Sequence, residues 1–394
     1  MIHKRRFLIL TSDSGFGHRS AANSIAKALK LLHPQDAVVS IVNPIFEQPT
    51  TRILKKTELN YDKMVRNYPS WYRLAYEISD SRSASTLVEG TLKLALKKNI
   101  QQIIEQFQPD AILNTNQMFN SPTGAALNVL KVKPPFYTVV TDLADVHSMW
   151  FNSNPDLFFV ASETVKSKAI SSGIPDKDIL ITGIPVDPAF CFNQVSKYNL
   201  RCSLGLDPNL TTLLIVGSQR VKGIYSYLKA LEKVRYPFQV VVITGGDNAL
   251  YTKLGKRIWH FPTLVNNYVT NIPDWMLSAD LLITKAGGLI LSEGLAAGLP
   301  IVLINNLPGQ EEGNVRYILE NNAGILAGTP AELITIMNSW LSDDQSNLNT
   351  IKNNSCRLGH PSAALSVSES LWQAASFYAV SEPFTHPEIV GDLE

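Results

Sequence analysis

The chain has 394 residues, enough for two or three domains with cores that need no disulfide or metal staples. Its 35 Lys+Arg nearly cancel its 34 Asp+Glu, and a net charge of +1 excludes a general nucleic-acid binder, which would be strongly basic. Three scattered cysteines, Cys191, Cys202 and Cys356, exclude a disulfide framework and point to a reducing, cytoplasmic setting.

The first apolar run, residues 7–10, stops at Thr11-Ser12-Asp13, too short for a signal core, and reads as a buried strand. Further strands are predicted at 38–42, 111–113, 136–140 and 157–160, then at 213–216, 240–243, 281–283 and 301–304. These runs are apolar on successive residues, as in parallel sheets covered on both faces. Between them lie helical spacings such as Ala22, Ile25, Leu29, Leu32 and Ile224, Tyr227, Leu228, Leu231, Val234. The alternation predicts an α/β chain of two doubly wound, Rossmann-like domains. Periodicity breaks near 185–210, at Pro185, Pro188, Asn193, Asn199 and Pro208. The expected division is therefore 1–190, 191–362, a helix over 363–380 and a tail over 381–394. No apolar run reaches the roughly 18 residues of a membrane span, so any membrane contact is expected to be peripheral.

Residues 52–76 stand apart. Arg52, Lys55, Lys56, Lys63, Arg66 and Arg73 interleave with Tyr61, Tyr68, Trp71, Tyr72 and Tyr76, a composition suited to anionic lipid headgroups. Arg66, Trp71, Tyr72 and Arg73 are the expected membrane contacts; a solvated helix face is the plain alternative.

Four segments carry chemistry. Ser12-Asp-Ser-Gly15-Phe-Gly17-His18 joins the first strand to a helix, where glycines allow a sharp turn and free helix amides favour an anion. His18 at such a helix start is held neutral, able to accept a proton, or else merely caps the helix. Thr141-Asp142-Leu143, with His147 and Trp150, follows a strand end, where a carboxylate and an imidazole can act as base and positioner; an Asx-turn with a surface histidine is the alternative. Thr284-Lys285-Ala-Gly287-Gly288 runs from a strand into a helix and exposes amides to a diphosphate. Glu293, one or two turns along, can accept two hydrogen bonds from a ribose diol, or only complement the helix dipole. Pro308-Gly-Gln310-Glu311-Glu312-Gly-Asn314 offers polar groups suited to hexose hydroxyls, or acids without function at a helix start.

In combination these segments resemble the glycosyltransferases that make glycosyl-diacylglycerols: plant-type monogalactosyldiacylglycerol synthases and bacterial processive diacylglycerol glucosyltransferases, family 28-like enzymes. The resemblance is closest in Asp274-Trp-Met276, Asp280, 283–289, Glu293, Gly298-Leu-Pro300, 308–314 and Glu320-Asn-Asn-Ala-Gly324. It extends to the loop ending in His18, to Thr141-Asp-Leu with His147 and Trp150, and to Gly183-Ile-Pro185-Val, and so covers most of residues 7–328.

The resemblance implies a GT-B fold: two Rossmann-like domains across a cleft, with a C-terminal helix returning to the first. It implies inverting transfer of a hexose from a UDP-sugar to diacylglycerol, without a bridging metal or a cofactor, on the cytoplasmic face of an anionic membrane. By matched positions Glu293 binds ribose, Gly287 and Gly288 meet the diphosphate, Gln310 and Glu311 hold the hexose with Asn314 supporting them, and Lys285 belongs to the UDP-sugar-binding set. Gly15, Gly17, His147 and Trp150 lie on the acceptor side; Asp142 is the candidate general base, with His18 its competitor. Two departures stand out. Phe16 interrupts the first glycine loop, and Gly217-Ser-Gln-Arg220-Val-Lys222-Gly223 replaces a glycine-rich loop. Either Gly217 and Arg220 or Lys222 bind the donor by another route, or the loop no longer closes over it. The alternatives are a polyprenyl-diphosphate-sugar acceptor and a catalytically silent UDP- or lipid-binding relative.

Overall fold

The computed structural model describes residues 4–13, 16–47, 55, 82–153, 155–219, 221, 223–305, 311–342 and 346–381. Two six-stranded, all-parallel sheets follow one another along the chain. The first contains β1 (Arg5–Leu10), β2 (Ala37–Val42), β3 (Ala111–Asn114), β4 (Phe136–Val139), β5 (Leu157–Val160) and β6 (Ile179–Ile181), in the order β2-β1-β3-β4-β5-β6. The second contains β7 (Thr212–Val216), β8 (Gln239–Ile243), β9 (Thr263–Asn266), β10 (Leu281–Lys285), β11 (Ile301–Asn305) and β12 (Gly324–Leu326), in the order β12-β11-β10-β7-β8-β9.

The predicted apolar runs form the interior strands. Leu8, Ile9 and Leu10 of β1, Ile112 of β3, and Leu213, Leu214 and Ile215 of β7 are fully buried, because helices cover both sheet faces. Three strands were not foreseen: β6, β9 and β12. Each has three or four residues at a sheet end and is incompletely buried, so its run is too short to tell from a loop.

The first helix, Phe16–Leu32, buries Ala22, Ile25 and Leu29 as its spacing predicts. The second predicted helix is shorter, Ile224–Ala230, and tightens into a 3₁₀ turn at Leu231–Lys233. The last helix, Ala363–Ser381, returns to the first sheet. Val367, Leu371 and Ala375 join the core of Phe7, Ile9, Ile25 and Leu113, while Trp372 stacks on His33 at 3.5 Å beneath the Arg5 guanidinium. One apolar cluster crosses between the halves, with Val140, Leu143, Trp150 and Ile184 meeting Ala286, Leu291 and Leu295. Among the described residues no helix is long and apolar enough to cross a membrane.

Gly245 sits at φ +60°, and a Cβ there would lie 2.3 Å from the carbonyl oxygen of Gly217. This close approach ties the loop after β8 to the loop after β7. Backbone strain and a backbone clash add up, so Gly245→Ala is expected to cost about 2 to 4 kcal/mol. Thermal unfolding checks this, and an unchanged midpoint would contradict it.

Candidate active site

Ligands of doubly wound sheets bind past the carboxyl ends of strands, where the strand order reverses. The first sheet reverses between β1 and β3, the second between β7 and β10. The segments that follow these strands hold Ser12 to His18, Thr115, Gly217 and the 286–288 turn. Topology therefore places two of the four segments that the sequence singles out, together with the loop after β7, at the reversal points.

His18 lies in the first turn of the Phe16–Leu32 helix. Its Nδ1 donates to the Thr115 carbonyl at 2.8 Å, with Thr141 Oγ1 also 2.8 Å away. A carbonyl oxygen can only accept, so the proton is on Nδ1 and the lone pair on Nε2. Burial holds this imidazole down, at about 4, against the opposing pull of the Thr115 carbonyl. Sequence reasoning credits the helix end for the neutral histidine; desolvation is the main cause. Among the described residues nothing lies within 4 Å of where a Cβ on Gly17 would stand.

Asp142 follows Thr141 and accepts from Trp150 Nε1 at 2.7 Å. Burial pushes its carboxyl up to about 6, although the Trp150 bond and the Lys168 charge both pull it down. Trp150 is fully buried, and its ring lies 6.2 Å from that of His18. His18, Thr141, Asp142 and Trp150 thus form one cluster. His147 shapes the turn that presents Trp150, since its Nδ1 accepts from the Met149 amide at 3.2 Å.

On the other side of the cleft, Gly287 caps the Gly288–Ala296 helix. Lys285 pairs with Glu311 beside it: a Cβ on Gly287 would lie 2.8 Å from Lys285 Nζ and 3.5 Å from Glu311 Oε1. Asn314 Nδ2 donates to the Ala286 carbonyl at 2.9 Å and holds the turn from behind. Glu293 is 6 % exposed, and no hydrogen-bond donor reaches its carboxyl among the described residues. Burial, with the Asp187 charge adding, raises it to about 8. Gly217 donates its amide to the Ile243 carbonyl at 2.8 Å and lies against Gly245.

The two halves meet at Gly288. A Cβ there would lie 3.5 Å from the Thr141 carbonyl and 3.7 Å from the Leu143 amide. The start of the candidate diphosphate helix therefore abuts the segment that carries Asp142. Asp145, three residues on, packs against Gly313, where a Cβ would come within 2.1 Å of its carboxyl, and pairs with Arg316 at 3.1 Å. Lys27 of the first helix reaches Asp187 of the connecting segment at 2.7 Å.

Gly15, Arg66, Trp71, Tyr72, Arg73, Arg220 and Gln310 lie outside the described residues. Sequence reasoning overlooked the polar layer behind His18 and Trp150. Asn120 donates to the Trp150 carbonyl at 2.9 Å and accepts from Thr138 at 2.8 Å and from Asn114; Asn116 donates to Ser12 Oγ at 2.6 Å. These side chains are buried, and a satisfied buried network fixes its neighbours in one arrangement. The signal was Asn114-Thr115-Asn116, three polar residues directly after an apolar strand at a reversal point.

Comparison with known proteins follows the same division. Residues 18–186 match the family model for monogalactosyldiacylglycerol (MGDG) synthase, and residues 211–364 match the glycosyltransferase family 28 C-terminal domain. Among solved structures, MurG of Acinetobacter baumannii superposes with a TM-score of 0.60 at 15% identity, over 94% of this chain and 99% of that one. The S. aureus MnaA-UDP co-structure gives 0.59 at 15% identity, over 98% and 100%. These likenesses concern the fold, and they agree with the GT-B architecture that the two sheets and the returning helix form. Monogalactosyldiacylglycerol synthase of Spinacia oleracea, a chloroplastic protein by name, is 29% identical over 93% of this chain and 72% of its own length. Chloroplastic monogalactosyldiacylglycerol synthase 3 of Arabidopsis thaliana is 30% identical over 373 residues, 91% of this chain and 79% of its own length. With both halves matched in order and the likeness running nearly end to end, the chain belongs to the monogalactosyldiacylglycerol synthase family.

Proposed function

We propose that this protein is an inverting hexosyltransferase that moves a hexose from a UDP-sugar to diacylglycerol at a membrane surface. The observation that carries the reading is the approach of Gly288 to the Thr141 carbonyl and Leu143 amide, with Asp142 between them in sequence. A sugar whose diphosphate meets the helix start at Gly288 then has its anomeric carbon next to a carboxylate. The acceptor hydroxyl attacks that carbon from the side opposite the diphosphate. Asp142 takes the hydroxyl proton, the bond to the diphosphate oxygen breaks, and the electron pair leaves with UDP. His18, with its lone pair on Nε2, is the competing base.

The helix amides and Lys285 meet the charge that builds on the diphosphate, so no metal is assigned to this step. Glu293 receives the ribose hydroxyls, and Glu311 with Gln310 receives the hexose, Asn314 supporting the turn from below. Membrane contact is peripheral in this reading. The relatives' names place them in chloroplasts, which lends no support to the cytoplasmic setting suggested by the cysteine content.

The test is a transfer assay on the purified protein with diacylglycerol in anionic micelles, offering UDP-glucose, UDP-galactose and UDP-GlcNAc in turn. A glycosyl-diacylglycerol is the expected product, and its sugar names the donor. Firm UDP binding without any lipid product would overturn the diacylglycerol acceptor. It would favour a polyprenyl-linked acceptor or a silent relative whose altered 217–223 loop has ended turnover.

A further inference from the structure

The two halves touch at Gly288 and again at Gly313, and the two contacts differ in kind. A Cβ on Gly288 would find ordinary van der Waals distances, 3.5 Å from the Thr141 carbonyl and 3.7 Å from the Leu143 amide, so that contact does not demand a glycine. At Gly313 a Cβ would lie 2.1 Å from the Asp145 carboxyl carbon and 2.3 and 2.5 Å from its oxygens, so no side chain fits there while Asp145 is seated. Gly313 is buried in the first turn of the Glu312–Glu320 helix, where the helix dipole favours a carboxylate. Arg316, three residues along the same helix, donates to both Asp145 oxygens, at 3.2 and 3.1 Å.

Both sides of this seat are firmly tied to their own halves. The loop that carries Asp145 is bound to the Glu163–Ser171 helix. Ser162, which caps that helix, donates to the Leu143 carbonyl at 2.9 Å, and Lys168 donates to the Val146 carbonyl. Asp142, three residues before Asp145, is held by Trp150. Across the cleft, Glu311, two residues before Gly313, pairs with Lys285, and Asn314, directly after it, holds the Ala286 carbonyl. The seat thus joins the loop of the candidate base to the turn of the candidate hexose and diphosphate groups. A misplacement of about 1 Å between reacting groups can cost a hundredfold in rate.

We propose that Asp145 is a positioning residue, which by sitting on Gly313 and pairing with Arg316 fixes Asp142 relative to the bound hexose. The proposal deepens the functional reading above and rests on it for its effect on rate, yet the seat itself can be measured without turnover. Three variants of the full chain test it: Asp145→Ala, Gly313→Ala and the two combined. Rates at saturating donor and dioctanoylglycerol are compared at pH 8, because the Asp145 charge is one of the causes that raise Asp142. In each single variant kcat is expected to fall roughly tenfold or more, while UDP affinity by calorimetry stays within about twofold of the parent's, since the ribose and diphosphate groups all lie in the second half. The double variant is expected to be no slower than Asp145→Ala, because a Cβ at 313 then has no carboxylate to displace. Gly313→Ala should not lower the thermal midpoint, alanine being the better helix former. Arg316→Met is expected to slow transfer by at most about fivefold, the ceiling for an exposed ion pair. Hydrogen exchange of the 142–151 segment is expected to quicken roughly threefold or more in both single variants.

Additive losses in the double variant, a fall in UDP affinity that matches the fall in kcat, or unchanged rate and exchange overturn the proposal and leave the transferase reading standing. A parent chain that transfers no sugar sinks the transferase reading, and exchange then decides the seat. Quickening by Gly313→Ala in the parent chain but not in the Asp145→Ala background supports Asp145 as the tie between the halves, and any other pattern overturns it.

Discussion

The rate of hexosyl transfer at saturating substrates is expected to fall, as the pH is lowered, through one ionisation near pH 6, the value to which burial raises Asp142. A general base works only when deprotonated, so a carboxylate with a raised value loses activity below that value and keeps it above. If His18 is the base, the fall comes instead near pH 4, where its imidazole titrates. The two candidates that the sequence leaves side by side are thereby separated by about two pH units. Asp142→Asn is expected to lower kcat by roughly 10²- to 10⁴-fold, the usual worth of a positioned base. It should retain the Trp150 hydrogen bond, because an amide oxygen accepts as a carboxylate does.

Stability should move the opposite way. The folded-state value of Asp142 lies above its ordinary 3.8, so the ionised carboxylate costs stability, and that cost grows as pH rises from about 4 to about 6. Asp142→Asn removes it and is expected to gain on the order of 1 to 3 kcal/mol at neutral pH. A variant that is less active and no more stable would argue that Asp142 is an ordinary structural carboxylate. Chemical denaturation at pH 4 and pH 7.5 makes the comparison.

Glu293→Gln is expected to weaken binding of UDP-glucose by about a hundredfold or more, since two charge-assisted hydrogen bonds become neutral ones. UDP-glucose suits the test because its diphosphate, esterified at both ends, does not titrate near neutrality. The raised value of Glu293, about 8, adds a second signature. At pH 7 the free protein holds this carboxyl mostly protonated, whereas hydroxyls donating to it favour the ionised form. Binding should therefore release a proton and tighten as pH rises from 6 towards 8. Calorimetry in two buffers of different ionisation enthalpy reads the proton directly, and Glu293→Gln should abolish the release. Unchanged affinity, or a weaker affinity with the proton release intact, would remove Glu293 from the ribose. The same shift makes the fold lose stability as pH rises from about 4.5 to about 8, a loss the glutamine variant lacks.

Interior strands were legible in the sequence because a strand covered on both faces must be apolar at every position, as 281–283 and 301–304 are. The terminal strand β6, Ile179–Ile181, was not, because Leu180 is 42% exposed and three residues carry too little pattern to separate from a loop. The candidate segments were legible because glycine turns and carboxylates cluster at the ends of predicted strands. Their partners were not: the Thr115 carbonyl is a backbone atom that any residue would supply, yet it decides which nitrogen of His18 holds the proton.

By itself, then, the sequence determined two doubly wound halves and a helix over 363–380, and it singled out the candidate segments. Each of these depends on local periodicity or on side-chain chemistry within a few positions of the chain. Only the tertiary structure decided that Gly288 meets the residue pair around Asp142, that Lys285 pairs with Glu311, and that burial raises Asp142 and Glu293 while lowering His18. Contacts between residues on different elements, and the desolvation they impose, depend on how strands, helices and the two sheets are brought together, and no local pattern records that.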